Sequence, residues 1–426
     1  MDNQGLLKLG KDVLAESTRE DYMLDKGKGN YIWDADGKKY LDFVCGVASA
    51  PLGHNHPELI RVVEEHVKGE KLWHYAGNDY FSEPAIQLAE KLVKLSPTAK
   101  RAKVFFSNSG TESVECAIKA ATDFGHRFCK PRTKLASFEY AFHGRTIGSL
   151  SLTNSRPVHN RGFPALPVLR FPYGNCYRCL YCDSCNLQCV EKIREIISRE
   201  GSDIIALFAE PVQGEGGYVA PPKKFWKGVG EVCRESDILF AADEVQSGMG
   251  RTGKLFAIEH FDIKPNYVCL AKGLSGGLIP IAATIGEADK MFQEKGRHSN
   301  TFGANMLACK IALKVLEIIE REKLLNNAEK IGDYMRKRLE EIRHPKVGTI
   351  TGLGLMLGIE FVKDKRSKEH DKETRDDFLK NCWKQNMMLI GCGRSTARLM
   401  PPLNIDRETA DKAMEIIENS IKKIRA

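Results

Sequence analysis

In the middle third of the chain, three apolar runs each stop at an ionisable residue. Ile204-Ile-Ala-Leu-Phe-Ala209 ends at Glu210, Ile238-Leu-Phe-Ala-Ala242 ends at Asp243, and Val268-Cys-Leu-Ala271 ends at Lys272. A lysine that desolvation pushes toward its neutral form is an imine-forming nucleophile. An aspartate held against a heterocyclic nitrogen keeps that nitrogen protonated, because opposite charge favours the charged form. Taken singly, each residue also fits a strand-end charge solvated at a sheet edge; the set of three points to chemistry.

These groups must be positioned by a common element. Continuous apolar runs of this length predict strands buried on both faces, as in a parallel sheet covered by helices. Ligands of such sheets sit beyond the carboxyl ends of the strands, so two carboxylates and an amine meet in one crevice. A lysine that forms a Schiff base and an aspartate facing a pyridinium are what pyridoxal phosphate requires, since its ring is an electron sink only when protonated. A phosphate site is also encoded. Phe105-Phe-Ser-Asn-Ser-Gly-Thr-Glu112 runs from a strand into the helical spacing of Val114, Ala117, Ile118 and Ala121. Ser109 and Glu112 form a capping-box pair, and a helix start with a glycine and two hydroxyls receives a phosphate well.

The stretch Asp243-Glu-Val-Gln-Ser-Gly-Met-Gly-Arg-Thr-Gly253, followed by Ala271-Lys-Gly273, closely resembles the class III aminotransferases of fold type I, in particular those acting on 4-aminobutyrate and ornithine. The likeness runs from about Tyr31 to about Pro402. It implies an α/β fold: a large cofactor domain with a mostly parallel sheet over residues 66–318, and a small α+β domain made from both chain ends, 1–65 and 319–426. It also implies residue roles. Lys272 and Asp243 are catalytic. Ser109, Gly110 and Thr111 take the phosphate, Phe142 and Val245 clamp the ring, and His143, Glu210 and Gln246 surround it. Thr301, in His298-Ser-Asn-Thr-Phe-Gly303, is expected to reach the cofactor phosphate of a neighbouring subunit, which makes the enzyme a homodimer or higher homo-oligomer.

Substrate contacts are implied for Val47, Arg145, Glu215 and Arg398. Glu215 and Arg398 occupy the positions of a glutamate–arginine gate in ω-aminotransferases. The expected reaction is transamination of an ω- or α-amino acid with a 2-oxo acid, 2-oxoglutarate foremost, through a Lys272 Schiff base. An amino-acid racemase or epimerase on the same scaffold is the alternative, because one lysine can serve both reactions. A scaffold kept only for binding would have no need of Lys272 and Asp243 together.

The 426 residues carry 64 basic and 56 acidic side chains, a net charge of +8 without a basic block. Nucleic-acid binding is therefore not indicated, while a modest positive field suits carboxylate substrates. Asp2, Lys8, Lys11 and Asp12 leave no apolar core for a secretory signal, and no run has the apolar length that spans a bilayer. A cytoplasmic enzyme is expected. The hairpin Tyr31–Phe43 turns at Asp36-Gly37, and His54 and His56 are turn residues rather than a metal pair, with no third ligand near them. Apolar spacing predicts helices from Met306 to about Ile342 and again from about Arg407, the latter capped by Asp406.

Of the 13 cysteines, Cys176, Cys179, Cys182, Cys185 and Cys189 fall in one stretch. Repeated Cys-x-x-Cys units in a reducing compartment suit zinc or an iron–sulfur cluster, with Cys176, Cys179, Cys182 and Cys185 as ligands. Disulfides and unpaired thiols are the other outcomes of the same spacing.

Overall fold

The computed structural model describes residues 2–15, 21–128, 132–179, 185–201 and 203–425. Its centre is a seven-stranded sheet. In spatial order the strands are Ala102–Ser107, Ala282–Glu287, Tyr267–Leu270, Leu239–Asp243, Ile204–Ala209, Lys134–Phe138 and Val168–Phe171. Only Ala282–Glu287 runs antiparallel to its neighbours. The mostly parallel, doubly covered sheet expected from the apolar runs is present. Phe240 and Ala242 join one hydrophobic cluster and Ala241 the other; Val268 and Leu270 likewise separate from Tyr267 and Cys269. Period-two alternation between two buried faces explains why these strands are apolar at every position. Each fully buried large side chain stabilises the fold by about 1.5–3 kcal/mol.

One face is covered by the helix Gly110–Phe128, whose Val114, Ala117, Ile118 and Ala121 are buried against the sheet. The helix begins as the sequence predicts: Glu112 Oε2 accepts from the N–H of Asn108 (2.6 Å) and of Ser109 (3.2 Å), while Ser109 Oγ accepts from Glu112 N–H (3.4 Å). Phe225, Trp226, Val229 and Val232 of the helix Lys223–Glu235 pack in the cluster on the other side.

There are two smaller four-stranded sheets, the first drawing on both chain ends and the second on the C-terminal part alone. In the first, Met387–Met388 pairs in parallel with the edge of the Tyr31–Asp34/Lys39–Asp42 hairpin. In the second, Val347–Leu353, Met356–Phe361, Thr396–Leu399 and Ile390–Cys392 are antiparallel. The hairpin turn differs from the expectation. Gly37 alone has positive φ (82°), and the turn is closed by Asp34 Oδ1, which accepts from Asp36 and Lys38 N–H. The periodic stretch after Met306 is two helices, Met306–Arg321 and Leu324–Glu340, separated where Lys323 takes a left-handed φ of 54°. The last helix, Arg407–Lys422, is capped by Asp406 as expected, with Thr409 N–H at 2.7 Å.

Candidate active site

The carboxyl ends of the central strands border a cavity of about 480 Å³. Its lining includes Ser109, Gly110, Thr111, Phe142, His143, Arg145, Glu210, Glu215, Asp243, Val245, Gln246 and Lys272. These residues come from five separate segments of the chain, brought together because each follows a strand of the same sheet or the loop beyond it.

Lys272 follows the strand Tyr267–Leu270 and holds a φ of 40°, a left-handed conformation unusual for a long side chain. Burial pushes its amine below the ordinary lysine value, partly opposed by the carboxylates of Glu215 and Asp243. That is the direction an amine nucleophile needs. Asp243 ends the neighbouring strand. Its Oδ1 accepts from Val245 N–H (3.0 Å), and its Oδ2 lies 2.8 Å from Nδ1 of His143. His143 is therefore a support behind Asp243 as well as a lining residue. The imidazole fixes the rotation of the carboxylate, a relation between residues 100 positions apart that no local pattern announces.

Glu210 lines the cavity, but both of its oxygens are occupied by backbone: Oε2 accepts from Phe142 N–H (3.0 Å) and Oε1 from Gly214 N–H (2.9 Å). Burial, with the charge of Asp243 beside it, pushes its carboxyl up to about 7 even though His143 pulls the other way. Glu210 thus ties the Phe142 turn to the Gly214–Gly217 loop. Its neighbour in type, Glu244, points away from the cavity and is raised to about 7 by burial, while bonding Ser247 Oγ and Ile258 N–H.

At the phosphate end, Thr111 Oγ1 lies within hydrogen-bond distance of Ser149 Oγ (2.5 Å) and accepts from the N–H of Arg145 and Thr146. A Cβ added to Gly110 would come within 2.6 Å of Val245 Cγ1, so only glycine lets the helix start approach Val245. Arg145 stacks its guanidinium 5.3 Å over the Phe142 ring.

Arg398, on the strand Thr396–Leu399, donates from Nη1 to Glu215 Oε1 at 2.5 Å across 183 residues of sequence. The pair expected from the resemblance is formed. Both side chains are shielded, at 6% and 17% exposure. Burial alone would raise Glu215, but Arg398 outweighs it and holds the carboxyl below its ordinary value.

One expected residue lies elsewhere. Val47 is half-buried in a segment, Cys45–Ala48, whose successive φ values are 53°, 59°, 56° and 67°; this left-handed run turns Ser49, not Val47, into the cavity wall. Thr301 is exposed and absent from the lining of its own chain's cavity. Sequence reasoning missed Ser49, Asn108, Ser275 and Leu278, which also line it; the paired glycines Gly276-Gly277, at φ 61° and 79°, were the available signal that the chain turns sharply there. His54 is a structural residue as expected, with Nε2 2.7 Å from Asp42 Oδ2.

The metal expectation gains no support. Cys182 lies outside the described residues, and among the described residues no group of three or more His, Cys, Asp or Glu is arranged to hold a metal ion. Cys176 is exposed on the turn Cys176–Arg178, whereas Cys179, Cys185 and Cys189 are half-buried along a second cavity. The turn is held on the small sheet by Arg178, which donates to Glu360 Oε1 (2.7 Å) and to Lys368 O (2.5 Å).

The first cavity fits pyridoxal phosphate. Lys272 is desolvated at its wall, Gln246 Oε1 is buried with no hydrogen-bond partner among the described residues, and the Ser109–Thr111 helix start stands opposite the lysine-bearing strands. Comparison with known proteins agrees. The family model described as aminotransferase class-III matches residues 14–421. An acetylornithine aminotransferase of Aquifex aeolicus is 40% identical over 92% of this chain and 95% of its own. A leucine/methionine racemase of Thermococcus litoralis is 36% identical over 94% and 90%. The crystal structure of a Bacillus anthracis aminotransferase superposes with a TM-score of 0.92 at 30% identity, covering 99% of this chain and 98% of that one.

Proposed function

The chain belongs to the class-III aminotransferase family, and from that premise we propose that it moves the terminal amino group of an ω-amino acid of the acetylornithine type to 2-oxoglutarate. Pyridoxal phosphate, when bound, supplies the electron sink for the substrate carbon that loses its proton. Lys272 attaches the cofactor and afterwards holds and returns that proton with its freed amine. Asp243, oriented by His143, sets a negative charge against the pyridine nitrogen. Ser109, Gly110 and Thr111 grip the phosphate, Phe142 and Val245 enclose the ring, and Gln246 hydrogen-bonds the ring oxygen.

The observation that carries the substrate class is the Glu215–Arg398 pair beside Lys272. Closed, it neutralises the arginine, and an ω-amine presents its terminal nitrogen without a carboxylate at that point. Open, Arg398 takes the α-carboxylate of the 2-oxo acid in a two-pronged contact. Arg145, over Phe142 at the cavity mouth, is placed for the distal carboxylate of the donor. Single-turnover measurement with N-acetylornithine and with 2-oxoglutarate tests this: both half-reactions are expected, and absence of either overturns the assignment.

The homodimer belongs to the same proposal. Trp73, Tyr75, Tyr80, Phe81 and Phe302 form an exposed aromatic surface, with Phe81 at 95% exposure. The two segments that carry it are joined by Asn78 Nδ2 to Asn300 O (2.9 Å) and Met306 N–H to Trp73 O (3.2 Å). Apolar surface of this kind marks an interface, and Thr301 stands within it, beside Phe302. The division into a large domain over 66–318 and a small one from both ends is supported by the pairing of Met387–Met388 with the N-terminal hairpin. Among the described residues no helix is long and apolar enough to cross a membrane.

A second reading is favoured by the racemase relative. Lys272 and Asp243 serve racemisation equally, the proton returning to the opposite face of the carbon. Inversion of a chiral amino acid with no 2-oxo acid present distinguishes it from transamination.

A further inference from the structure

Opening the gate creates an electrostatic problem. Once Arg398 turns to a substrate carboxylate, Glu215 is left as a shielded anion without its hydrogen-bond partner, and an unpaired charge in such a place is costly. Arg398, then Lys272, then Arg156 hold the Glu215 carboxyl down. The first is then taken by substrate, and the amine of the second is engaged in carrying the proton at the substrate carbon. Arg156 remains.

Its position is built into the fold. The N–H groups of Asn154 and Ser155 both donate to Ala141 O (2.8 and 3.0 Å), and Asn154 Oδ1 accepts from Ala141 N–H (2.9 Å). This fixes the approach to Arg156 against the turn that carries Phe142. The Glu215 loop rests on the same turn: Gln213 Nε2 donates to Glu139 O (2.7 Å), and a Cβ on Gly216 would stand 2.8 Å from Tyr140 O. Arg156 itself caps the short helix Pro157–Asn160. Its Nε is buried with no hydrogen-bond partner among the described residues, a state that a buried donor rarely keeps in every conformation of a protein. His159, 2.9 Å from Ser155 Oγ, is pushed down to about 4 by burial and by Arg145 and Arg156, so it adds no competing charge at neutral pH.

We propose that Arg156 is the second anchor of Glu215, receiving its carboxylate while Arg398 holds the substrate, so that the gate has two paired states rather than one paired and one bare. Arg156 is thus a positioning residue for the acceptor half-reaction. The inference rests on the gate reading given above.

The test uses the holoenzyme in separate half-reactions with N-acetylornithine and 2-oxoglutarate. Arg156→Met should slow the 2-oxoglutarate half-reaction, chiefly through its half-saturating concentration, about tenfold more than the N-acetylornithine half-reaction. Arg156→Lys should restore most of the loss. In a Glu215→Gln background, where no anion needs an anchor, Arg156→Met should add no selective effect. Arg156→Gln keeps a polar side chain of similar reach and serves if the methionine variant does not fold. Equal slowing of both half-reactions, or the same selective loss with and without Glu215, overturns the proposal. Arg398→Ala is the control that separates the two levels: if it damages both half-reactions equally the gate itself is wrong, and if it is selective while the Arg156 variants are not, only the second anchor falls.

Discussion

The cofactor cradle and the gate are held in different ways. Lys272, Asp243 and Glu210 stand at the ends of adjacent buried strands, and the latter two are locked by backbone N–H groups and a buried imidazole. Glu215 and Arg398 meet instead through one charged hydrogen bond between a glycine-rich loop and a strand of a different sheet. The cradle has many restraints; the Glu215–Arg398 pair has few, as the proposed two-state gate requires. Groups that must hold one geometry stand on the rigid sheet, whereas the pair proposed to choose the substrate joins a loop to a second sheet.

Breaking the cradle should have the largest effect. Lys272→Ala should abolish the visible absorbance of bound cofactor and lower turnover by at least about 10³-fold, with far-ultraviolet circular dichroism unchanged; a retained absorbance band would displace Lys272 from its role. Asp243→Asn comes next. Losing the charge that keeps the ring nitrogen protonated should cost on the order of 10²–10³-fold in turnover while cofactor still binds, and wild-type turnover would contradict the assignment.

Breaking the gate should be selective rather than general. Arg398→Ala should slow the half-reaction with 2-oxoglutarate on the order of 100-fold, and the half-reaction with N-acetylornithine much less. Stopped-flow traces of the two would show it, and equal losses would mean that the arginine holds the fold rather than the substrate.

The smallest effect sharpens the contrast from the side of stability. Glu244 is buried and raised to about 7, so between about pH 4.5 and 7 the folded chain keeps a proton that the unfolded chain has released. Wild-type stability should therefore fall through this window as pH rises. Glu244→Gln removes that contribution and should gain up to about 3 kcal/mol relative to wild type across the same window. Urea unfolding at several pH values checks it; a parallel pair of profiles would show that Glu244 does not titrate with folding.

The cradle was legible in the chain because its determinants are local. Each catalytic residue follows an apolar run within a position or two, and the phosphate turn carries its own capping pair, so spacing alone gave the strands Ile204–Ala209 and Tyr267–Leu270, and the start of the helix Gly110–Phe128, to within about a residue. Elsewhere the local signal was incomplete. The break at Lys323 falls in the charged run Glu320-Arg321-Glu322-Lys323, where no glycine or proline marks a helix end. The Cys-x-x-Cys spacing suggested a metal centre that gains no support among the described residues, since spacing alone suits thiols, disulfides and metal ligands alike.

By itself, then, the sequence determined the buried strands, their reactive ends and the family, since a strand's burial and a helix's cap depend on neighbours only a few residues away. Tertiary structure decided that His143 stands behind Asp243, that Ser49 rather than Val47 faces the cavity, and that Arg398 reaches Glu215 from a different sheet. Such relations depend on how whole elements cross and on the direction of each side chain. A hydrogen bond over 100 or 183 residues of chain leaves no trace in either partner's surroundings.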